Sequence, residues 1–69
     1  MKAIYGGFCI NVYRHPEEPE CIMYSVISEA DYSVMAEGGE EPHVMQTIWE
    51  VYRNCRDMVD EHLGRSNER

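Results

Sequence analysis

Between His15 and Tyr52 the chain carries nine acidic side chains and no lysine or arginine: Glu17, Glu18, Glu20, Glu29, Asp31, Glu37, Glu40, Glu41 and Glu50. Two kinds of behaviour are open to such a run. Solvated loops need only water around them, because carboxylates are rarely buried. An acidic docking surface attracts a basic protein, speeds encounter and makes binding depend on salt. Carboxylates spaced like phosphates would let that surface occupy a nucleic-acid-binding channel and exclude its proper ligand. Glu17, Glu18, Glu20, Glu29, Asp31, Glu37, Glu40 and Glu41 are therefore the candidate acidic partner-binding residues. Catalysis by a carboxylate pair needs one acid with a raised pKa, and no local pattern marks one.

The thiols and imidazoles alternate as Cys9, His15, Cys21, His43, Cys55 and His62. Successive gaps of 6, 6, 22, 12 and 7 residues provide no short Cys or His pair of the kind a structural zinc site uses. A nucleophilic pair of Cys9 or Cys21 with His15 would need a third, orienting group, and none is apparent. Gly6-Gly7 lacks the third glycine, the lysine and the following helix of a phosphate-cradling loop. No pattern asks for a metal or a cofactor, and the chain reads as a non-enzymatic protein.

The elements that must position these residues follow from apolar spacing. Val44, Ile48, Val51, Tyr52, Cys55, Met58, Val59 and Leu63 recur at helical intervals. They predict a helix from Pro42 to Gly64, with Gln46, Glu50, Arg53, Asp57 and Asp60 on its opposite face. Residues 2–14 predict a first strand, with Gly6-Gly7 as a bulge or a close backbone approach. The run HPEEPE at 15–20 breaks the ladder as a hairpin loop, and 21–28 return as a second strand. For 29–39 the spacing allows a third strand at Tyr32–Ala36 or a short helix capped by Ser28 and Asp31. The strand is preferred, because a two-stranded sheet is marginal alone. Residues 38–42 read as a linker. The result is a small two-layer βββα domain of the α+β class, an antiparallel sheet packed by one long C-terminal helix. It occupies 1–64, with 65–69 as a polar tail.

A hairpin turning about Glu17-Glu18 places Phe8, Ile10 and Val12 on one face with Cys21, Met23 and Ile27. Tyr5, Cys9, Tyr13, Ile22, Tyr24 and Val26 then fall on the other. One helix covers one face, so apolar surface is left over; it is closed by loops and partly exposed tyrosines, or by a partner. Tyr5, Tyr13, Tyr24 and Trp49 are the candidate aromatic partner-binding residues, since such side chains are enriched at interfaces. Trp49, beside Arg56 at the margin of the helix stripe, is either a core-edge residue or an anchor.

Composition narrows the function. A formal charge of −7 on 69 residues opposes a groove-binding nucleic-acid reader and an anionic membrane surface. No apolar run approaches the roughly 20 residues of a membrane span, and no secretory leader follows MKAIYGG. Three cysteines, an odd number, read as reduced, mostly buried thiols in a cytoplasmic protein. A chain this short buries only roughly 60% of its unfolded surface, which favours association with a larger partner.

The order of strands before an amphipathic helix, with VMAEGGEEP leading into it, resembles compact antitoxin domains of the HicB type over residues 21–63. The Pro-Asp-Leu-Pro-Gly stretch often found in that family's sheet is absent here. In size, acidity and aromatic surface the chain is similar to phage-encoded inhibitors, anti-CRISPR proteins among them. The first resemblance implies an antitoxin-like or structural homodimer. The second implies an inhibitor that engages a protein with a basic surface, with no direct nucleic-acid or membrane binding.

Overall fold

The computed structural model describes residues 1–40 and 47–64. Strands β1 (Lys2–Tyr5), β2 (Phe8–Arg14), β3 (Ile22–Ser28) and β4 (Val34–Glu40) precede helix α1 (Ile48–His62). The strands form one antiparallel sheet in the order β1-β2-β3-β4, and α1 lies over β2 and β3. The α+β class and the C-terminal helix are as the sequence predicts, with one strand more. Among the described residues no helix is long and apolar enough to cross a membrane.

The additional strand comes from Gly6-Gly7. Both glycines sit at positive φ, 59° and 85°, the pairing that a two-residue hairpin turn of the mirror-image type requires. The stretch expected to be one strand therefore reverses, pairing Tyr5 with Phe8 and Lys2 with Asn11. This reversal moves Tyr5 off the face of Cys9 and Tyr13, where a continuous strand would put it.

The next hairpin pairs Arg14 with Ile22 and Phe8 with Ser28, so it turns about Glu18. That register is one residue from the expected one, and a one-residue slip moves every β3 side chain to the other face. Ile22, Tyr24 and Val26 thus join Phe8, Ile10 and Val12, while Met23 and Ile27 face away. The loop's own bonds set the slip. His15 Nδ1 accepts from the backbone N–H of Glu17 and Glu18 at 3.0 and 3.2 Å, and the Arg14 guanidinium donates to the Pro19 carbonyl at 2.9 Å.

β4 runs through Gly38 and Gly39, which the sequence reads as linker, and it begins at Val34, two residues later than expected. Strand glycines lack a side chain to pack, and here β3 supplies it. A Cβ on Gly38 would lie 3.0 Å from the Tyr24 hydroxyl, and one on Gly39 2.7 Å from Met23 Sδ. Each neighbour thus fills the space over the glycine it pairs with.

Thr47 starts α1 with a capping box. Its hydroxyl accepts from Glu50 N at 3.1 Å, and the Glu50 carboxylate accepts from Thr47 N at 2.7 Å. Glu50 is therefore a cap. The helix thus begins at Ile48, six residues later than the expected start at Pro42, because the extended Thr47 caps it; Pro42 itself, Glu41, Val44, Gln46 and the tail lie outside the described residues. Gly64 follows the Leu63 cap at φ 77° and ends the helix as its type suggests.

Val51, Cys55 and Val59 are at most 1% exposed and pack on Phe8, Ile10, Val12, Ile22 and Val26. Each large aliphatic side chain buried there stabilises by about 1.5–3 kcal/mol. Asp60, expected on the solvent face, is buried. The Tyr5 hydroxyl reaches it from β1 and donates to its carboxylate at 3.0 and 3.1 Å.

Candidate functional site

The face of the sheet turned away from α1 is built by strand parity. Its rows are Lys2–Asn11–Ser25–Glu37, then Ile4–Cys9–Ile27–Val34, and Tyr13 beside Met23. No described element packs on it. Ile4 is 57% exposed, Val34 54% and Tyr13 42%, unlike the closed opposite face. Antiparallel sheets with one wet face usually carry polar side chains there; this one alternates a polar row with an apolar row.

The acidic residues are not one patch. Glu17, Glu18 and Glu20 are exposed on the β2–β3 loop. Glu29 and Asp31 sit at the opposite end, where Glu29 N donates to the Gly7 carbonyl at 3.0 Å. Seven-residue strands separate the two groups by roughly 20 Å. Glu37 is exposed between them in the Lys2 row. Glu40 pairs with Ile22 at the end of β4, on the side of the first group.

Nor do the aromatic candidates converge. Tyr13 belongs to the open face. Tyr5 and Tyr24 lie on the helix side, partly buried against the core, which removes them from any open-face surface. Trp49 is 65% exposed on the helix margin, edge-on to Tyr52 at 6.2 Å. Below it Arg56 stacks over Tyr5 at 4.8 Å and Tyr52 at 5.8 Å. Trp49 is thus an exposed margin residue on the opposite layer from Tyr13.

One residue absent from the candidates stands out. Tyr32 has φ 61°, the one positive value among the described non-glycine residues, and is 79% exposed. A bulky residue there is a genuine outlier. Its turn is fixed by side chains: Asp31 Oδ1 accepts from Ser33 Oγ at 2.8 Å and from Ser33 N at 3.1 Å, and Tyr32 N donates to the Ser28 carbonyl at 2.8 Å. The Ser33 hydroxyl bond, then the Ser33 backbone bond, hold the Asp31 carboxyl below its ordinary value. Tyr32 borders a hollow of about 300 Å³ on the open face, floored by Cys9, Asn11, Ser25 and Ile27. Lys2 stands at one end and Glu29 at the other. The signal in the sequence is a tyrosine inside the turn-forming run Ser28 to Ser33.

Cys9 faces the open side and Cys55 the core. Cys9 and Cys21 are half-buried rather than buried, and the Cys21 thiol lies 3.7 Å from Glu18 Oε1. Among the described residues no three His, Cys, Asp or Glu side chains come together as a ligand set; His43 lies outside them. His62 packs edge-on against Phe8 at 5.5 Å. Comparison with protein-family models, with curated proteins and with solved structures finds no match.

Proposed function

We propose that this chain is a small, acidic, non-enzymatic protein-binding module that docks through the open face of its sheet. The partner is a protein with a basic surface. In its sharpest form the module is a phage-type, anti-CRISPR-like inhibitor, occupying the nucleic-acid-handling surface of a larger complex in the cytoplasm. The observation that supports this is the layout of that face: exposed Ile4, Tyr13 and Val34 toward its edges and one end, half-buried Cys9 and Ile27 between the edge strands, with Glu17, Glu18 and Glu20 beyond one end and Glu29 and Asp31 beyond the other. Exposed apolar side chains flanked by charge suit an interface. A rim of one sign selects a partner of the other and raises the encounter rate.

A homodimer is the second reading, favoured by Lys2 and Glu37 at opposite edges of one row. Face-to-face stacking about an axis along the strands would bring each Lys2 over the other copy's Glu37. Either two-fold orientation also sets acidic ends against acidic ends. Salt would therefore strengthen a homodimer and weaken a basic partner, and sedimentation at low and high salt separates the two.

The direct test is competition for nucleic acid. A guide-loaded CRISPR effector bound to labelled target DNA is titrated with the chain, and anisotropy reports release. Release that falls with added salt, and is lost when Glu17, Glu18 and Glu20 become lysines, supports the reading. Release indifferent to both salt and charge reversal, or no release, overturns the electrostatic inhibitor.

A further inference from the structure

Tyr32 carries two features that fold stability alone does not favour. Its backbone occupies the left-handed region, where an L side chain crowds the following carbonyl, and the residue is 79% exposed. The surrounding bonds of Ser28, Asp31 and Ser33 hold it there. Observed strain of this kind, over-determined by its neighbours, marks sites of binding. Tyr32 borders the hollow on the open face, together with Glu29, Ile27, Cys9 and, further along, Asn11, Ser25 and Lys2.

We infer that this hollow takes an arginine side chain of the partner protein, its stem on Ile27 and Cys9 and its guanidinium between the Tyr32 ring and Glu29. The inference rests on reading the open face as the docking surface for a basic protein. An aromatic face attracts a cation, and the planar guanidinium stacks on a ring while forking to a carboxylate, which an ammonium does not do. The cation belongs at the Glu29 end. Lys2 pairs with Asn11, four residues along β2 from the Gly7 carbonyl that holds Glu29, or roughly 13 Å of strand. A lysine in the same hollow gains neither the stack nor the fork.

The full chain, ¹⁵N-labelled, is titrated with N-acetyl-arginine amide, N-acetyl-lysine amide and sodium chloride. The expected result is a saturable shift of the Ile27, Ser28 and Tyr32 amides with the arginine compound, at least several-fold tighter than with the lysine compound. Tyr32→Gly and Glu29→Gln each weaken it about fivefold or more, and Tyr32→Phe retains it. Glycine suits φ 61°, so Tyr32→Gly melts higher than the parent and its loss of binding is not a loss of fold. No saturable shift up to roughly tens of millimolar, equal shifts from both amino acids, or undiminished binding in Tyr32→Gly overturns the pocket. Such a failure leaves the docking reading standing if the lysine reversals at Glu17, Glu18 and Glu20 still abolish release of DNA. If release is indifferent both to those reversals and to salt, the docking reading fails however the pocket titrates.

Discussion

The two faces of the sheet share the same four strands and differ in what their side chains do. On the covered face Phe8, Ile10, Val12, Ile22 and Val26 are at most 8% exposed and close against Val51, Cys55 and Val59. On the open face Ile4, Tyr13 and Val34 keep about half their surface in water, and polar rows alternate with apolar ones. Burial free energy scales with the area removed from water, so the covered face holds the fold together. The open face contributes little to folding, yet it carries the strained tyrosine and faces out between two acidic ends. Substitutions on the two faces should therefore separate stability from binding.

The sharpest separation comes from truncating one aliphatic residue on each face. Ile10→Ala leaves a cavity at a site 0% exposed and should cost about 2–5 kcal/mol. Ile4→Ala, on the paired strand's open side, should stay within about 0.5 kcal/mol. Urea melts of both variants check this; equal losses would merge the two faces into one core.

Next in size is the polar contact that ties β1 to α1. Tyr5→Phe removes the hydroxyl that donates to the buried Asp60 carboxylate. It should cost about 1–3 kcal/mol, the usual consequence of withdrawing one partner from a buried polar group. An unchanged denaturation midpoint would mean that Asp60 is satisfied without Tyr5.

The glycine pair of β4 compares the faces within a single strand. Gly38→Ala drives a methyl into the Tyr24 ring, with the hydroxyl at 3.0 Å and Cζ at 3.3 Å. Tyr24 packs against the core, so its ring has limited room, and the cost should be about 1 kcal/mol. Gly39→Ala meets the thioether of Met23 on the open side, a flexible chain that can swing aside, and should be near neutral. The order of the two thermal midpoints is the readout, and a reversed order would place the rigid packing on the wrong face.

The smallest effect concerns pH at the Tyr32 turn. Hydrogen bonds from Ser33 favour the ionised Asp31 carboxylate and lower its pKa from 3.8. A carboxylate with a depressed folded-state pKa adds stability above its unfolded value and loses it as pH falls through the folded one. Asp31→Asn should thus be less stable than the parent at neutral pH, with the gap closing as pH drops below the ordinary carboxylate range. Urea midpoints of both proteins across that range test it; a gap that persists in acid would assign the effect to shape rather than charge.

Much of the architecture is legible in local pattern. The existence of the C-terminal helix, its stop at Gly64 and the acidic break after Arg14 are written in adjacent residues; the start of the helix is not, since Thr47 caps it and it begins six residues beyond Pro42. What else escaped depends on partners distant in sequence. Gly6-Gly7 permits a bulge or a turn equally, and only the pairing of Tyr5 with Phe8 decides. Gly38-Gly39 reads as linker until Tyr24 and Met23 arrive from β3 to cover it. Asp60 looks solvated on a helical wheel and is buried because Tyr5 reaches it from β1. The candidate surface suffered most, since the hairpin register decides which tyrosines face outward. Tyr13 stayed exposed, Tyr5 and Tyr24 turned inward, and Tyr32 emerged because three polar neighbours impose its backbone angle.

That the open face is the docking surface is tested most directly by hydroxyl-radical footprinting of the chain, alone and with the guide-loaded effector. The expected result is protection of Tyr13, Met23, Ile27 and Tyr32 in the complex, with the exposed and oxidisable Trp49 and Leu63 at the two ends of α1 unchanged. Protection confined to α1, or none on either face, would contradict it.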